Sequence, residues 1–450
     1  MIKIVYNANE KINTRFNKDK EGKLELPKIQ LSKSFLRKHQ INTKHVFIKF
    51  GNWSQRFMIM TNNHLSLNEI GLSKNLLPYK IPESMHLNIK VNMNVIHIGP
   101  YIACIVKDKF QQITKNTLEI YKNRFKLDED YGRFILICSS DSIDINNQLI
   151  KGYYYGTNKI KNSWIIDEFP YPDSFFKKIR IPQEKEISLK DATGNKLFNT
   201  NFFNKFELWE ACLDEQVNQF LPETKFYKSF NDLVQMIPKY ETIYMKPIKG
   251  LKGIGIFVLK KEKDGILLLN NNKEKKMFHS IHKLGQYLDQ ILLNKAYIIQ
   301  QGVPTVYKNK QFDFRLYFQK NTQLEWVCQG IIGRVAQEDS IVTNLQHLAH
   351  ITSGEKTIKI VYKMRDSEAK KVMKDAVTAC MKVCETIDKR LGHFGDVAID
   401  VIIDHHFKPW ILEVNNLYGK KSLHLLQENE LLNTIHITPI EYASVLAGFK

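Results

Sequence analysis

The sequence lacks the features that mark membrane and secreted proteins. Its 450 residues contain no run of about eighteen apolar residues, the length that a transmembrane helix needs. Residues 1–9 include a brief apolar stretch, but no hydrophobic region leads to a small-residue cleavage site as in a secretory signal. We therefore expect a protein that stays in the cytoplasm and has no membrane partner.

Metal-finger spacing is also missing from the sequence. The six cysteines stand at positions 104, 138, 212, 328, 380 and 384. Cys380 and Cys384 join the apolar stripe of a helix predicted over 366–391, where packing in the core is the expected role. Cysteines scattered in this way are typical of a reducing compartment.

Acidic residues are too few to balance the basic ones, and the formal net charge is +19. Residues 1–100 hold 16 Lys and Arg against 6 Asp and Glu, but these bases are dispersed and form no run or basic arm. A nucleic-acid partner is therefore the interpretation that the charge pattern supports least. An anionic nucleotide, an acidic substrate and a polyanionic surface all remain compatible with it.

Neither of the common glycine-rich nucleotide motifs is present. The glycines of residues 250–255 read GxxGxG and lie between two predicted strands, whereas the P-loop and the Rossmann fingerprint lead into a helix. A turn of this kind, with free backbone amides and Lys246 before it, can cover phosphates. An ordinary lysine-rich hairpin turn is the alternative.

The composition is that of a globular protein of more than one domain. Hydrophobic residues make up 43% and charged residues 25% of the chain. Short strands with turns over residues 1–98 predict a small β-rich domain. Alternating strands and helix over residues 99–200 predict an α/β domain, which leaves residues 201–450 for a third domain. The expected fold class is α/β (α+β).

Two predicted strands, residues 395–403 and 409–416, carry oxygen ligands. Because strand side chains alternate between faces, Asp396 and Asp400 share one face of the first strand, and Glu413 and Asn415 share one face of the second. Unpaired buried carboxylates are costly, and a hard cation such as Mg²⁺ would remove that cost. An edge hairpin with solvated acids is the alternative.

Two arginines lie earlier in the sequence than these two strands. Arg315 lies on the same strand face as Asp313, and Arg334 begins the next polar segment. Guanidinium groups match phosphate and carboxylate oxygens, so a pair near a metal site suits a triphosphate and an acyl phosphate. A structural salt bridge is the alternative for either residue.

Taken in order, these segments resemble the ATP-grasp enzymes and, among them, the YheC/YheD family associated with the endospore coat. The resemblance is strongest from Asn201 to Leu423. The matching segments are 204–205, 246–247 with the glycine turn, 313–315, 334–336, 344–345, residue 400 and 413–415. The resemblance implies an ATP-grasp catalytic domain over 201–450, with a lid subdomain at about 225–300, preceded by a pre-ATP-grasp domain over 99–200.

The resemblance also implies a site for ATP and Mg²⁺. The residues that bind the nucleotide would be Lys205, Lys246, the lid glycines Gly250, Gly253 and Gly255, and the adenine hinge Gln300, Gln301, Gly302 and Val303. The metal ligands would be Asp400, Glu413 and Asn415. The catalytic residues would be Arg315, Arg334 and Asn344, with the arginines facing the transferred phosphoryl group.

The activity implied by the resemblance is an ATP- and Mg²⁺-dependent ligase that acts in endospore formation. Such an enzyme phosphorylates a carboxylate, and an amine or a related nucleophile then attacks the acyl phosphate. Lysines, arginines and metal suit this chemistry, because positioning and charge neutralisation dominate phosphoryl transfer. The alternative is a structural protein of the spore coat that binds nucleotide without turnover and has coat components as partners. A basic polyanion binder is the third interpretation.

Overall fold

The structure is a computed structural model of the chain. It describes residues 1–7, 26–73, 81–82, 85–127, 131–158, 161–213, 217–248, 254–270, 274–292, 295–304, 306–307, 310–338 and 348–449. The chain forms two compact units, one of Met1–Thr200 with Asn321–Leu324 and His436–Lys450, and one of Asn201–Lys320 with Glu325–Ile435. Both contain helices and sheets, as the predicted α/β (α+β) class requires. The division into domains at residues 98 and 200 stays a prediction.

The first unit begins with a closed barrel. Its elements are β1 (Ile2–Asn7), β2 (Lys28–Leu31), α1 (Lys33–Lys38), β3 (His45–Phe50), β4 (Trp53–Thr61), β5 (Glu69–Ser73), β6 (His86–Asn92) and β7 (Val95–Gly99). Around the barrel the strands follow the order β1-β5-β2-β4-β3-β7-β6. Alternation along β3 places Val46, Ile48 and Phe50 in the interior, which closes the barrel over an apolar core.

A mixed sheet follows in the same unit. Its elements are β8 (Tyr101–Lys107), α2 (Lys115–Phe125), β9 (Phe134–Asp144), β10 (Leu149–Asn158), β11 (Lys161–Pro170), β12 (Ser174–Lys177), α3 (Gln183–Thr193) and β13 (Leu197–Phe198), in the strand order β11-β10-β9-β8-β12-β13. The central strand β8 is parallel to β9 and β12 and is buried along nearly its whole length, as expected for a parallel strand covered on both faces.

A segment from the C-terminal part of the chain completes this core. Ile440 and Tyr442 pack in one apolar cluster with Ile102 and Phe198. The hydroxyl group of Ser174 donates a hydrogen bond of 2.8 Å to the carbonyl oxygen of Ala443. The first unit is therefore discontinuous in sequence.

The second unit begins with an antiparallel sheet. Its elements are α4 (Lys205–Cys212), β14 (Thr224–Tyr227), α5 (Phe230–Met236), β15 (Thr242–Pro247), β16 (Phe257–Glu262), β17 (Gly265–Asn270), β18 (Lys275–Phe278), α6 (Ile281–Ile291) and β19 (Tyr297–Gln301). The strand order is β14-β19-β15-β16-β17-β18. Leu284 and Leu288 of α6 pack against Ile243 and Met245 of β15 in a separate apolar core.

The second sheet of this unit carries most of the predicted site. Its elements are β20 (Val306–Tyr307), β21 (Lys310–Lys320), β22 (Trp326–Ala336), β23 (Leu348–Ser353), α7 (Gly354–Tyr362), α8 (Asp366–Arg390), β24 (Asp396–Ile403), β25 (Pro409–Asn415), α9 (Lys421–Leu426) and the beginning of α10 (Asn429–Leu446), whose residues from His436 on belong to the first unit. The strand order is β23-β22-β21-β24-β25, with β20 on β21. The apolar stripe of α8, including Cys380 and Cys384, covers one face of the sheet. Within the ranges given above, no helix is long and apolar enough to cross a membrane.

Candidate functional site

One face of the second sheet in the second unit brings the predicted polar residues together. Across the strands, Asp313 is the register partner of Arg334, and Arg315 is the partner of Asp400. Asp400 is in turn the partner of Glu413. Side chains at paired positions lie on the same face of a sheet, so residues from four strands converge, although they are far apart in the sequence.

Two aspartates and two arginines alternate on this face. Nε and Nη2 of Arg315 donate hydrogen bonds to Oδ1 and Oδ2 of Asp400, each 2.7 Å long. Nε and Nη2 of Arg334 donate to the two carboxylate oxygens of Asp313 over 2.7 and 2.5 Å. Nη2 of Arg334 also lies 3.2 Å from Oδ2 of Asp400. The four charges form a continuous network across β22, β21 and β24.

The charged partners, and not burial, decide the ionisation of this network. Desolvation would raise the pKa of Asp400, but Arg315 and Arg334 outweigh it and hold that pKa below its ordinary value. Desolvation would likewise lower the pKa of Arg334, but Asp313 and Asp400 raise it. Asp400 and the two arginines are therefore charged at neutral pH, which buried ions tolerate only because each one is paired.

Glu413 and Asn415 lie at the open side of the network. Nδ2 of Asn415 donates a hydrogen bond of 3.0 Å to Oε1 of Glu413. Nζ of Lys205 lies 3.3 Å from Oε2 of the same glutamate, whose side chain is 30% exposed. Lys205 is the first residue of α4, and the side chain of Asn204 caps that helix by accepting from two backbone amides. The cap therefore fixes the backbone position from which the Lys205 side chain extends toward Glu413.

Lys246 reaches the same region from β15. Its Nζ donates a hydrogen bond of 2.6 Å to Oε1 of Gln300 on β19. Nε2 of Gln300 donates to Oγ1 of Thr224 over 2.9 Å, which fixes the orientation of the amide. Desolvation and, after it, the charge of Lys205 lower the pKa of Lys246 to about 8, although Glu413 opposes both. Lys246 is thus a desolvated cation beside a second one.

The role of Gln300 as a support for Lys246 is one that sequence reasoning missed. The predicted hinge, Gln300 to Val303, begins at the end of β19, which lies between β14 and β15 in the sheet. The side chain of Gln301 accepts a hydrogen bond of 3.1 Å from the backbone amide of Glu223. A Cβ atom on Gly302 would lie 2.7 Å from the side chain of Thr242, so only glycine fits there. The assignment of this segment to adenine stays a prediction.

The predicted glycine lid is only partly covered by the structure. Gly250, Gly253 and Asn344 lie outside the described residues. Gly255 has a φ of +77°, in the left-handed region that favours glycine. Its carbonyl oxygen accepts a hydrogen bond of 3.0 Å from the hydroxyl group of Tyr297.

A second polar network, also missed from the sequence, follows the same face of β21. Nε2 of Gln319 donates hydrogen bonds of 2.8 Å to Oδ1 of Asp396 and to the carbonyl oxygen of Ile435. The hydroxyl group of Tyr418 donates to the same carboxylate oxygen of Asp396. Asp396 thereby anchors the loop that follows Asn415. The polar residues at every second position from Asp313 to Gln319 are the signal that could have revealed this network.

The predicted metal ligands Asp400, Glu413 and Asn415 form what we call the wall, and their oxygen atoms are suited to a hard cation. In the described part of the chain, no three His, Cys, Asp or Glu side chains are grouped as a metal cluster. The carboxylate of Glu413 and the amide oxygen of Asn415 are nevertheless hard ligands on a half-exposed surface. Mg²⁺ commonly takes one or two carboxylates together with nucleotide phosphates, so this pair fits it. Asp400 would have to change its arginine partners to join them.

Comparison with known proteins places the site within a matched region. Residues 194–446 match the family model described as YheC/D like ATP-grasp. The chain is 23% identical over 420 residues to the endospore coat-associated protein YheD of Bacillus subtilis, covering 88% of this chain and 90% of that protein. It is 22% identical over 224 residues to the endospore coat-associated protein YheC of the same organism, covering 48% of this chain and 60% of that protein.

Solved structures also align with the chain. A RimK domain ATP-grasp protein from Sphaerobacter thermophilus is 10% identical, covers 75% of this chain and 98% of its own, and gives a TM-score of 0.41. D-alanyl-alanine synthetase A from Vibrio cholerae is 11% identical, covers 76% of this chain and 99% of its own, and gives a TM-score of 0.41.

Proposed function

Because this chain belongs to the YheC/D-like ATP-grasp family, we propose that it is a ligase that uses ATP and Mg²⁺ to activate a carboxylate. The activated acyl phosphate would be attacked by an amine or a related nucleophile. The observation that carries this proposal is the convergence of Lys205 and Lys246 on the carboxylate wall at Glu413. Two partly desolvated cations beside hard oxygen ligands suit a polyphosphate bound with a divalent ion.

The lysines act as phosphate ligands in this proposal. Lys246 is supported because its ammonium group is partly buried and has a neutral amide as its partner. Lys205 is supported by its position in the first turn of α4, near enough to the wall to reach a phosphate held there. Gly250, Gly253 and Gly255 would close over the phosphates, and the hinge from Gln300 to Val303 would contact the adenine.

Glu413 and Asn415 would hold Mg²⁺, with Asp400 as the third predicted ligand. When bound, the ion would neutralise charge on the transferred phosphoryl group. Lys205 and Lys246 would share that task. This division of roles requires no side-chain nucleophile.

Arg315 and Arg334 would stabilise the negative charge that develops on the acceptor side, with Asn344 as the third predicted catalytic residue. The Arg334 side chain is buried, that of Arg315 is 14% exposed, and both are fixed by bidentate bonds that use Nε and Nη2. Among the described residues, no hydrogen bond uses Nη1 of either arginine, so each keeps a donor for a substrate oxygen. Groups fixed before the reaction stabilise a transition state without reorganising, which is the main source of electrostatic catalysis.

We place this activity in the cytoplasm of a cell that forms endospores. The two curated relatives are named for association with the endospore coat and not for a reaction. Those names favour one alternative, a coat-associated protein that binds nucleotide without turnover and has coat components as partners.

Thermal unfolding in the presence of nucleotide tests the shared part of both functions. ATP with Mg²⁺ should stabilise the protein, since a ligand at about 100 times its Kd adds about 2.7 kcal/mol. Lys246→Ala and Glu413→Ala should lose that stabilisation, whereas Lys239→Ala, which alters an exposed lysine paired with Glu223, should keep it. Absence of stabilisation at millimolar nucleotide would rule out the ATP assignment.

Product analysis separates the ligase from the coat protein. ADP release should depend on a carboxylate and a nucleophile supplied together, and it should be lost in Arg334→Met. If a broad panel of carboxylates and amines yields no ADP while nucleotide still binds, the non-catalytic function is correct.

A further inference from the structure

Both carboxylates of the predicted metal wall already have a protein cation as a partner. Glu413 has the Lys205 ammonium group 3.3 Å away, and Asp400 accepts the fork of Arg315 at 2.7 Å. The two pairs differ in how firmly they are held. The Arg315 and Asp400 side chains are 14% and 9% exposed, whereas those of Lys205 and Glu413 are 22% and 30% exposed. The lysine pair is a single contact near solvent and is the one that can exchange.

Lys246 provides the contrast within the same site. Its partner is the neutral amide of Gln300, and in the described part of the chain no carboxylate oxygen lies within ion-pair distance of its Nζ. Lys246 therefore carries a charge that is available to a phosphate before any ligand arrives. Lys205 does not, because it is engaged by the carboxylate that is predicted to hold the metal.

An ammonium partner competes with a divalent cation for the same carboxylate oxygen. Mg²⁺ binds oxygen at about 2.0–2.1 Å, and its two charges repel the charge of a neighbouring lysine. The flexible stem of lysine allows its ammonium group to move a few ångströms while α4 stays in place.

We propose, on the basis of the proposed function, that Lys205 is the counter-ion of Glu413 in the ligand-free protein and that nucleotide phosphates draw it away to expose the metal site. Lys205 thus has two successive partners, Glu413 and then a phosphate. The metal and the nucleotide consequently bind cooperatively. The phosphates draw Lys205 from Glu413, which the metal would otherwise have to displace, and the metal at Glu413 releases Lys205 for a phosphate. Such coupling is reciprocal in equilibrium binding.

Direct titration of the full chain with Mn²⁺, followed by the electron paramagnetic resonance signal of the free ion, tests this inference without an activity assay. Without nucleotide, Lys205→Met should bind Mn²⁺ about twofold to fivefold more tightly than the native protein, the range expected for loss of a partly exposed ion pair. With a non-hydrolysable ATP analogue, the native protein should gain more Mn²⁺ affinity than Lys205→Met gains, by at least the same factor.

Two control variants make the result specific. Lys239→Met removes a lysine whose Nζ lies 3.4 Å from a carboxylate oxygen of Glu223, which is not a predicted metal ligand, and should leave Mn²⁺ binding unchanged. The double variant Lys205→Met with Glu413→Gln should lose the gain, because the exposed carboxylate is absent.

Unchanged or weaker Mn²⁺ binding by Lys205→Met would overturn the inference. That result is separable from failure of the proposed function. If the native protein binds the ATP analogue with Mn²⁺ but Lys205→Met shows no gain, only the counter-ion role is wrong. If the native protein binds no nucleotide at all, the proposed function and the inference that rests on it both fail.

Discussion

Nζ of Lys246 lies 2.6 Å from Oε1 of Gln300, and this neutral amide is the described partner of a lysine that has lost much of its hydration. A carboxylate in the same place would hold the lysine pKa high. The amide cannot, and burial together with the charge of Lys205 lowers the pKa to about 8 against the opposing charge of Glu413. The charge on Lys246 is consequently sensitive to mildly alkaline pH.

Nucleotide affinity should therefore decline as the pH rises above about 8. A phosphate favours the charged form of Lys246, so binding weakens once the free protein loses that proton. Folding stability responds in the opposite direction. The unfolded chain binds more protons at this position between about pH 8 and the ordinary lysine pKa of 10.5, so the contribution of Lys246 to the free energy of unfolding rises over that range.

Calorimetric titration with an ATP analogue and Mg²⁺ from pH 7 to 9.5 measures the effect on binding. Lys246→Met should bind about tenfold or more weakly at pH 7, because a charge-assisted hydrogen bond is lost. Its affinity should also change less with pH than that of the native protein. Equal pH slopes for the two proteins would assign the dependence to another group.

Asp313 and Arg334 should show a large cost when either partner is removed alone. Their side chains are 6% and 5% exposed. Asp313→Ala leaves the guanidinium group with Asp400 only, and about 3–5 kcal/mol of stability should be lost, measured by urea unfolding. The double variant Asp313→Leu with Arg334→Met replaces the pair by apolar groups and should lose less. If the double variant is as unstable as the single one, the loss comes from packing and not from an unpaired charge.

Tyr418 and Tyr317 offer a matched pair of hydroxyl deletions. The hydroxyl group of Tyr418 donates to the buried carboxylate of Asp396, so Tyr418→Phe should cost about 1–3 kcal/mol. The hydroxyl group of Tyr317 is buried and has no hydrogen-bond partner among the described residues. Tyr317→Phe should therefore be neutral or stabilising. Thermal unfolding of both variants decides the matter, and equal losses would contradict it.

Local patterns along the chain were enough to predict several parts of the fold. The helix expected over 366–391 is α8, Asp366–Arg390, because its apolar spacing is regular over seven turns. The strands expected at 395–403 and 409–416 are β24 and β25, because β-branched residues alternate there with acids and an amide. The predicted family and the ATP-grasp fold are confirmed by the match of residues 194–446 to the family model.

Pairings between distant residues could not be predicted in this way. Lys246 and Gln300 are 54 positions apart, and their bond depends on the register between β15 and β19. Arg315 and Asp400 are 85 positions apart, and their hydrogen bonds depend in the same way on the register between β21 and β24. No local pattern specifies such a register. The sequence therefore predicted candidate residues for the site but not which of them form hydrogen bonds or ion pairs with each other.

The discontinuity of the first unit bears on how the chain emerges during synthesis. Translation delivers the N-terminal residues first. A nascent chain that has reached Thr200 already contains Ile102 and Phe198 but not Ile440 and Tyr442, which pack with them in the finished protein. The first unit to leave the ribosome therefore exposes apolar surface until the whole of the second unit has followed. The first unit begins earlier in the chain than the second, but its last segment is synthesised later.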